Sequence, residues 1–336
     1  MYSESVITAA KELKIHDASV LVTGATGLIG SCAIDVMCAA NKEQGANIHI
    51  YALGRSNEKI RRRFGDNVIP LVQDIVEPLS ENRSFDYILH GASNADPRSY
   101  ATQPVETITT NLIGTRNILD CCARNNRTRA IFTSSFEVYG KIPNTDIYTE
   151  TMSGIIDQTI LRNGYPESKR CCELLLRSYV EEYGTNATIA RLPSVYGPTM
   201  QKSDSKAHAQ FIRNALNREN IILKSTGSQR RSYCYVIDIV RGLFFLLENG
   251  QSGEIYNVAN RVSVASIAEY AAACAQIAGT EVAYELPDEV EVKGFSEPQN
   301  CILDTQKIES LGWFGKYSLI TGITETIETL KGKLDA

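Results

Sequence analysis

The chain is 336 residues long, 43% hydrophobic and 22% charged, with a formal net charge of −5. These values describe a globular protein with room for one core and an elaboration, or for two domains. So small a negative charge gives no broad attraction to nucleic acid or anionic lipid; neither is expected as a partner, and a phosphate-bearing ligand needs local donors.

Residues 1–16 mix Glu, Lys and apolar side chains without an apolar stretch of signal-peptide length, which predicts a cytoplasmic protein. The run Ser19–Thr23 predicts a buried strand that leads into Gly24-Ala25-Thr26-Gly27-Leu28-Ile29-Gly30 and a helix over Ile29–Ala40. Glycines in a strand-to-helix turn let the backbone approach a pyrophosphate, and the helix N-terminus beyond offers free N–H groups to the anion. Gly24–Gly30 is therefore the candidate dinucleotide site, with GxxGxxG spacing rather than GxGxxG. A plain strand-to-helix turn is the competing reading.

The next strand, Ile48–Leu53, ends in Gly54-Arg55. An acid there accepts hydrogen bonds from the adenosine ribose and favours NAD, whereas an arginine pairs with a 2′-phosphate and favours NADP. Arg55 points toward NADP; NAD stays open if Arg55 only faces solvent. A third strand, Val68–Gln73, is followed by Asp74 and Ile75, which are placed to meet the adenine edge, and a fourth is expected over Tyr87–His90. Helix Val105–Arg124, strand Ala130–Ser134, helix Pro166–Tyr183 and strand Thr188–Leu192 complete the alternation. Such alternation predicts an α/β fold built on a doubly wound parallel Rossmann sheet.

The nine cysteines include the neighbours Cys121-Cys122 and Cys171-Cys172, both in helical patterns. There is no CxxC pair and no Cys/His cluster with zinc spacing, so reduced thiols acting as small apolar residues are expected, and no metal. Past Arg191 the pattern becomes irregular over Pro193–Arg231 and Val262–Gln299, while Tyr235–Leu247 and Glu254–Ala259 read as a return to the main sheet. The expected division is 1–191 with about 235–261 as the dinucleotide-binding part, and about 192–234 with 262–336 as a smaller, discontinuous α/β substrate-binding lobe. The apolar run Leu243–Leu247 is far too short to span a bilayer.

Tyr165-Pro166-Glu167-Ser168-Lys169 puts a phenol and an ammonium four residues apart at a helix start, on one face. A nearby cation favours tyrosinate, so Tyr165 is expected to have a lowered pKa and to serve as general base or acid. Upstream, Phe132-Thr133-Ser134-Ser135 ends a strand where a hydroxyl can bond a substrate oxygen.

Taken with the opening TGxxGxxG, this arrangement resembles the extended short-chain dehydrogenases/reductases of the NAD-dependent epimerase/dehydratase family, over nearly the whole chain. The resemblance equates Thr23–Gly30 with the cofactor turn, His90-Gly91-Ala92-Ser93 with the fourth-strand motif, and Asn111 with the family's structural Asn. It implies cofactor contacts from Gly24, Thr26, Gly27, Leu28, Ile29, Gly30, Arg55, Asp74, Ile75, Ala92, Ser93, Asn111, Tyr165 and Lys169. It also implies catalytic roles for Ser135, Tyr165 and Lys169, and a substrate-diphosphate role for Arg231. Locally the chain is most similar to UDP-glucuronate decarboxylases and dTDP-glucose 4,6-dehydratases. Pro97, Tyr100, Pro104 and Thr107 follow the PxxYxxxPxxT run of the decarboxylases, and Glu137 matches a Glu that both groups share. Glu137 either aims a carboxylate at sugar C5 or C6 or pairs with an arginine.

The departures are equally specific. Phe136 stands where 4,6-dehydratases carry an Asp that protonates the leaving hydroxyl. Asn300, beside Gln299, stands where an arginine is expected for the decarboxylases, and Ser194 replaces the usual substrate-binding Asn. The resemblance implies NAD(P)-dependent oxidation of a hydroxyl of a nucleotide-activated sugar to a 4-keto intermediate, followed by epimerisation or dehydration. Decarboxylation of a nucleotide-linked uronic acid and NADPH-dependent reduction of a ketosugar are the alternatives. A cofactor-binding regulator without catalysis is a third, opposed by the presence of Ser135, Tyr165 and Lys169. The family further implies a homodimer through the helices Val105–Arg124 and Pro166–Tyr183.

Overall fold

The computed structural model describes residues 2–80, 83–125, 127–294 and 299–334, so residues 295–298 of the expected second lobe lie outside the described residues. The first half runs α1 (Glu4–Glu12), β1 (Ser19–Thr23), α2 (Leu28–Gln44), β2 (His49–Gly54), α3 (Asn57–Phe64), β3 (Ile69–Val72), β4 (Tyr87–His90), α4 (Pro97–Thr102), α5 (Pro104–Ala123) and β5 (Arg129–Ser135). A single turn of 3-10 helix, Phe136–Tyr139, and β6 (Ile147–Tyr148) lead to α6 (Gly164–Tyr183) and β7 (Asn186–Leu192). Seven strands pair in parallel in one sheet; the seventh is β11 (Ile255–Asn257), reached after an excursion through the second half of the chain.

Taken along the sheet the order is β11-β7-β5-β4-β1-β2-β3, so the chain reverses direction across the sheet between β1 and β4. A crevice opens at the carboxyl ends of strands where such a reversal occurs, because the two following connections diverge. Val20, Leu21 and Val22 of β1 and Ile88 and Leu89 of β4 are fully buried. These strands carry apolar residues on both faces because helices cover both sides of a parallel sheet.

The excursion comprises β8 (Ser194–Tyr196), α7 (Ala207–Leu216), β9 (Ile221–Leu223), β10 (Arg230–Tyr235) and α8 (Val236–Asn249), then β12 (Val264–Ser266) beyond β11. It continues through α9 (Ile267–Ala278), β13 (Val282–Tyr284), α10 (Glu289–Gly294), β14 (Ile302–Leu303), α11 (Gln306–Ser310) and α12 (Leu319–Leu334). Strands β12, β10 and β8 form a small separate sheet.

The six strands expected in the first 192 residues are all present, displaced by at most two residues at either end. One reading of the second half needs correction. Tyr235–Leu247, read as a return to the main sheet, is the end of β10 (Tyr235) followed by a helix, Val236–Asn249, packed on β5 and β7. Val262–Gln299 is more regular than expected, since α9 has a capping box in which Ser266 and Glu269 satisfy each other's backbone N–H groups. Among the described residues no helix is long and apolar enough to cross a membrane.

Candidate active site

The turn after β1 is built for close backbone approach. Gly24 has φ +68°, and a Cβ there would meet the Gly91 carbonyl oxygen at 2.8 Å; a Cβ on Gly30 would meet the Gly24 oxygen at 2.4 Å. The N-cap of α2 is Gly27, which has no side chain to cap the helix, so its first-turn N–H groups are left without a side-chain cap. Thr26 lies between the glycines, half-buried. Across the switch point, Thr23 Oγ1 accepts the N–H groups of both Gly91 and Ala92 at 3.1 Å. Both lone pairs of that oxygen are then occupied, so its own proton goes to His90 Nδ1, 2.8 Å away. His90 Nε2 must carry the ring hydrogen and donate to Thr115 Oγ1 at 3.2 Å. Burial, with help from the Lys169 charge, holds the His90 pKa down to about 3, which agrees with a neutral ring.

Ser93 follows Ala92 at the end of this ladder, and its buried Oγ has no partner among the described residues. Asp74 and the buried Ile75 follow β3; Asp74 accepts the Val76 N–H, and Ile75 packs against Gly114 of α5. Arg55, just past the end of β2, is 69% exposed, and its ion pair with Glu106 is long at 3.7 Å. An uncapped helix start, two positions where a Cβ would clash with backbone and an orphaned hydroxyl all fit a dinucleotide along this edge.

The first turns of α6 place Tyr165, Ser168, Lys169 and Cys172 on one buried face. Asn111 of α5 sets their position: its Nδ2 donates to Ser168 Oγ at 2.9 Å, Ser168 donates to the Tyr165 carbonyl at 2.8 Å, and Cys172 Sγ donates to the Asn111 carbonyl at 3.2 Å. The Asn111 side-chain oxygen has no partner among the described residues. Ser135, the last residue of β5, accepts the Glu137 N–H at 3.2 Å and lies near enough to the Tyr165 phenol to favour its ionised form.

Lys169 departs from expectation. Its Nζ donates to the Thr133 carbonyl at 2.9 Å and lies 4.6 Å from the centre of the Phe132 ring. Burial draws its pKa down to about 8. The Tyr165 phenol is not lowered but raised to about 12, by burial first and by the Glu137 carboxylate second. A cation lowers a phenol only if it is close enough to outweigh lost hydration, and here the ammonium is directed at the strand.

Two residues that sequence reasoning did not assign to the site adjoin Tyr165. Tyr100 of α4 stacks on it with ring centres 4.2 Å apart and planes 12° apart. Arg162, just before α6, lies 5.4 Å from the Tyr100 ring centre and pairs with Glu137 at 2.8 Å, while Glu137 also lines the neighbouring cavity. Arg162 stands three residues before Tyr165, and nothing in local sequence distinguishes it from a surface arginine; it is 6% exposed, and its Nε–H is buried without a partner among the described residues. Below the site, Ser134 donates to Glu173, which receives two further bonds from Arg191 at 3.0 and 2.7 Å. That network ties β5, α6 and β7 together under the catalytic face.

A cavity of about 350 Å³ reaches Pro166, the residue after Tyr165, and its lining carries Glu137, Asp157, Lys141, Arg162 and Arg231. Phe136 lies against Arg231, 5.8 Å from guanidinium to ring centre. Ser194, half-buried opposite Tyr233 at the start of β8, is outside that lining. Asn300 has a structural place: it accepts the Arg230 N–H at 2.8 Å and donates to Asp146 at 3.0 Å.

Comparison with known proteins agrees with this geometry. The model of the NAD dependent epimerase/dehydratase family matches residues 20–259. A protein named UDP-glucuronic acid decarboxylase 6, from Arabidopsis thaliana, is 34% identical over 90% of this chain and 86% of its own. UDP-glucuronic acid decarboxylase 1 of Xenopus tropicalis is 30% identical over 94% of this chain and 73% of its own. Among solved structures, UDP-glucose 4-epimerase of Thermotoga maritima superimposes with TM-score 0.80 at 24% identity, covering 94% of this chain and 99% of that one. A dTDP-glucose 4,6-dehydratase of Streptomyces venezuelae does so with TM-score 0.79 at 24% identity, covering 94% and 98%. At those identities the superpositions speak for the fold.

Proposed function

The chain belongs to the NAD-dependent epimerase/dehydratase family, and from that membership we propose that it oxidises a hydroxyl, at C4, of a nucleotide-activated sugar and then decarboxylates a uronic acid at the keto stage. A nicotinamide cofactor held by the Gly24–Gly30 turn would supply the hydride acceptor for that oxidation and the hydride donor for the closing reduction. Tyr165 takes the hydroxyl proton and gives it back, Ser135 holds the sugar oxygen, and Lys169 keeps the end of β5 in place with donors left for the cofactor. The turn Gly24–Gly30, with Ala92, Ser93 and Asn111, is assigned to holding the cofactor. The observation that carries this reading is the placement of Ser135 at the carboxyl end of β5 with Tyr165 and Lys169 together on the buried face of α6, in a fold whose β1–α2 turn starts an uncapped helix.

A keto group at C4 makes a C6 carboxylate a β-keto acid, so the C5–C6 bond breaks with its electrons delocalised onto the C4 oxygen. Carbon dioxide leaves, and C5 is then protonated. Three observations favour this second step over loss of water. Phe136 has no proton to give a leaving hydroxyl, the relatives of 30–34% identity are named decarboxylases, and three cations, Lys141, Arg162 and Arg231, against the two carboxylates Glu137 and Asp157 leave the cavity lining an excess of positive charge that suits an anionic sugar. Glu137, which lines the same cavity, is assigned to the sugar C5 or C6 side, and Arg231 to the diphosphate. Incubation with UDP-glucuronate should yield a product lighter by carbon dioxide; loss of water from UDP- or dTDP-glucose, or an unchanged mass, would replace this reading. Tyr165→Phe should be inactive in the same assay.

Arg55 supports NADP over NAD, since a long pair to one exposed carboxylate leaves its guanidinium accessible to a 2′-phosphate. Arg55→Ala should weaken NADP binding about tenfold in calorimetry and leave NAD binding unchanged. The division between a cofactor part (1–191 with about 235–261) and a substrate lobe (192–234 and 262–336) belongs to the same proposal. So does a homodimer through α5 and α6, whose outer faces expose Val105, Ile113 and Leu174; only monomer in sedimentation at micromolar concentration would defeat it.

A further inference from the structure

We propose that Tyr100 is a positioning residue for proton transfer: stacked on Tyr165 and with the Arg162 guanidinium over its ring, it keeps its phenol proton and turns it to the Tyr165 oxygen as that oxygen ionises, so holding the tyrosinate that removes the substrate proton. This rests on the reading of Tyr165 as the proton-transfer group.

Burial and Glu137 both oppose ionisation of Tyr165, while Lys169 is turned to the Thr133 carbonyl. The groups that oppose this effect are Ser135 from β5, Tyr100 from α4 and Arg162 from the turn before α6. Two parallel phenols in contact do not both ionise. Tyr100, facing Tyr165, Glu137 and Arg162, is the harder of the two to deprotonate, because it is buried and lies against both Tyr165 and Glu137. It therefore keeps its proton and acts as donor. Arg162 helps twice: its pair with Glu137 offsets the carboxylate that raises Tyr165, and a cation over a phenol ring draws charge from the hydroxyl, making it a stronger donor. The short helix α4 is held in place for this, with Asp96 capping it through the Arg98 N–H while also accepting a hydrogen bond from Ser205.

Tyr100→Phe keeps the ring, the stack and the burial, and removes only the hydroxyl. With UDP-glucuronate as substrate, kcat/KM at pH 7 should fall about tenfold, the acidic limb of its pH profile should move up by about one unit, and the deficit should shrink as pH rises. KM, cofactor affinity and the melting temperature at pH 7 should stay close to wild type, because nothing else is removed. An unshifted limb, a loss equal at every pH, or a loss confined to KM would each overturn the assignment. Tyr165→Phe is measured alongside. If it retains turnover, the reading of Tyr165 falls and this inference with it; if it is inactive while Tyr100→Phe follows the wild-type profile, only the role of Tyr100 falls.

Discussion

A methyl group added at Gly30 would lie 2.4 Å from the Gly24 carbonyl oxygen and 3.0 Å from the Ala25 Cα. Backbone cannot yield as the tip of a flexible side chain can, so Gly30→Ala must tilt α2 away from the turn that its first N–H groups complete. The variant should fold and bind NAD or NADP at least about tenfold more weakly by calorimetry; affinity within twofold of wild type would show that the turn does not hold the cofactor. Residue identity alone made Gly24–Gly30 and the Tyr165/Lys169 spacing legible, because those chemistries have few uses. The partners were less visible. Arg162 and Glu137 are 25 positions apart in sequence, and only the packing of the 3-10 turn against the start of α6 makes them a pair. The same is true of Lys169, whose orientation toward Thr133 follows from where β5 ends.

At the scale of elements, the Ser134–Glu173–Arg191 network joins β5, α6 and β7 with 5% exposure at Glu173 and 8% at Arg191. Arg191 also lies 4.6 Å from the Tyr139 ring centre and donates to the Glu150 carbonyl, so it braces the 3-10 turn that carries Glu137. Arg191→Met leaves a buried carboxylate unpaired and should lower unfolding stability by about 3–5 kcal/mol in urea titration. Adding Glu173→Met should recover most of that loss, since two apolar side chains have no desolvation to make good. Equal destabilisation in the single and double variants would mean the arginine acts by packing alone. Strands β1 to β5 and β7 were readable from sequence because a parallel strand buried on both faces is a short continuous apolar run.

At the scale of the whole molecule, buried titratable groups limit the range of pH over which the fold is stable. His90 and His208 have pKa values lowered to about 3 and about 4, chiefly by burial. An unfolded chain binds those protons from about pH 6.5 downward, so the stability they contribute is complete above that value and declines as pH falls through 4 and 3. Tyr165 and Tyr233 are raised to about 12, also by burial. The unfolded state loses their protons first, so stability falls from about pH 10 upward. Lys169, lowered to about 8, acts in the opposite direction: the unfolded state holds the extra proton between about 8 and 10.4, and stability rises across that window. The melting temperature should therefore be highest between about pH 7 and 10, with loss on both sides. Tyr233→Phe should soften the alkaline limb and leave the acid limb unchanged; a melting temperature still rising above pH 11 would contradict this.

What the amino-acid sequence determined by itself was local: the periodicity of the strands, the glycine spacing of the β1–α2 turn and the four-residue interval from Tyr165 to Lys169. Each depends on backbone geometry over a few residues, which is the same wherever such a segment occurs. The tertiary structure decided everything that depends on distance through space and on removal from water. It stacked Tyr100 on Tyr165, paired Arg162 with Glu137, and turned Lys169 to Thr133. It also reversed the expected shift of the Tyr165 phenol, because desolvation is a property of the surroundings that no local pattern encodes.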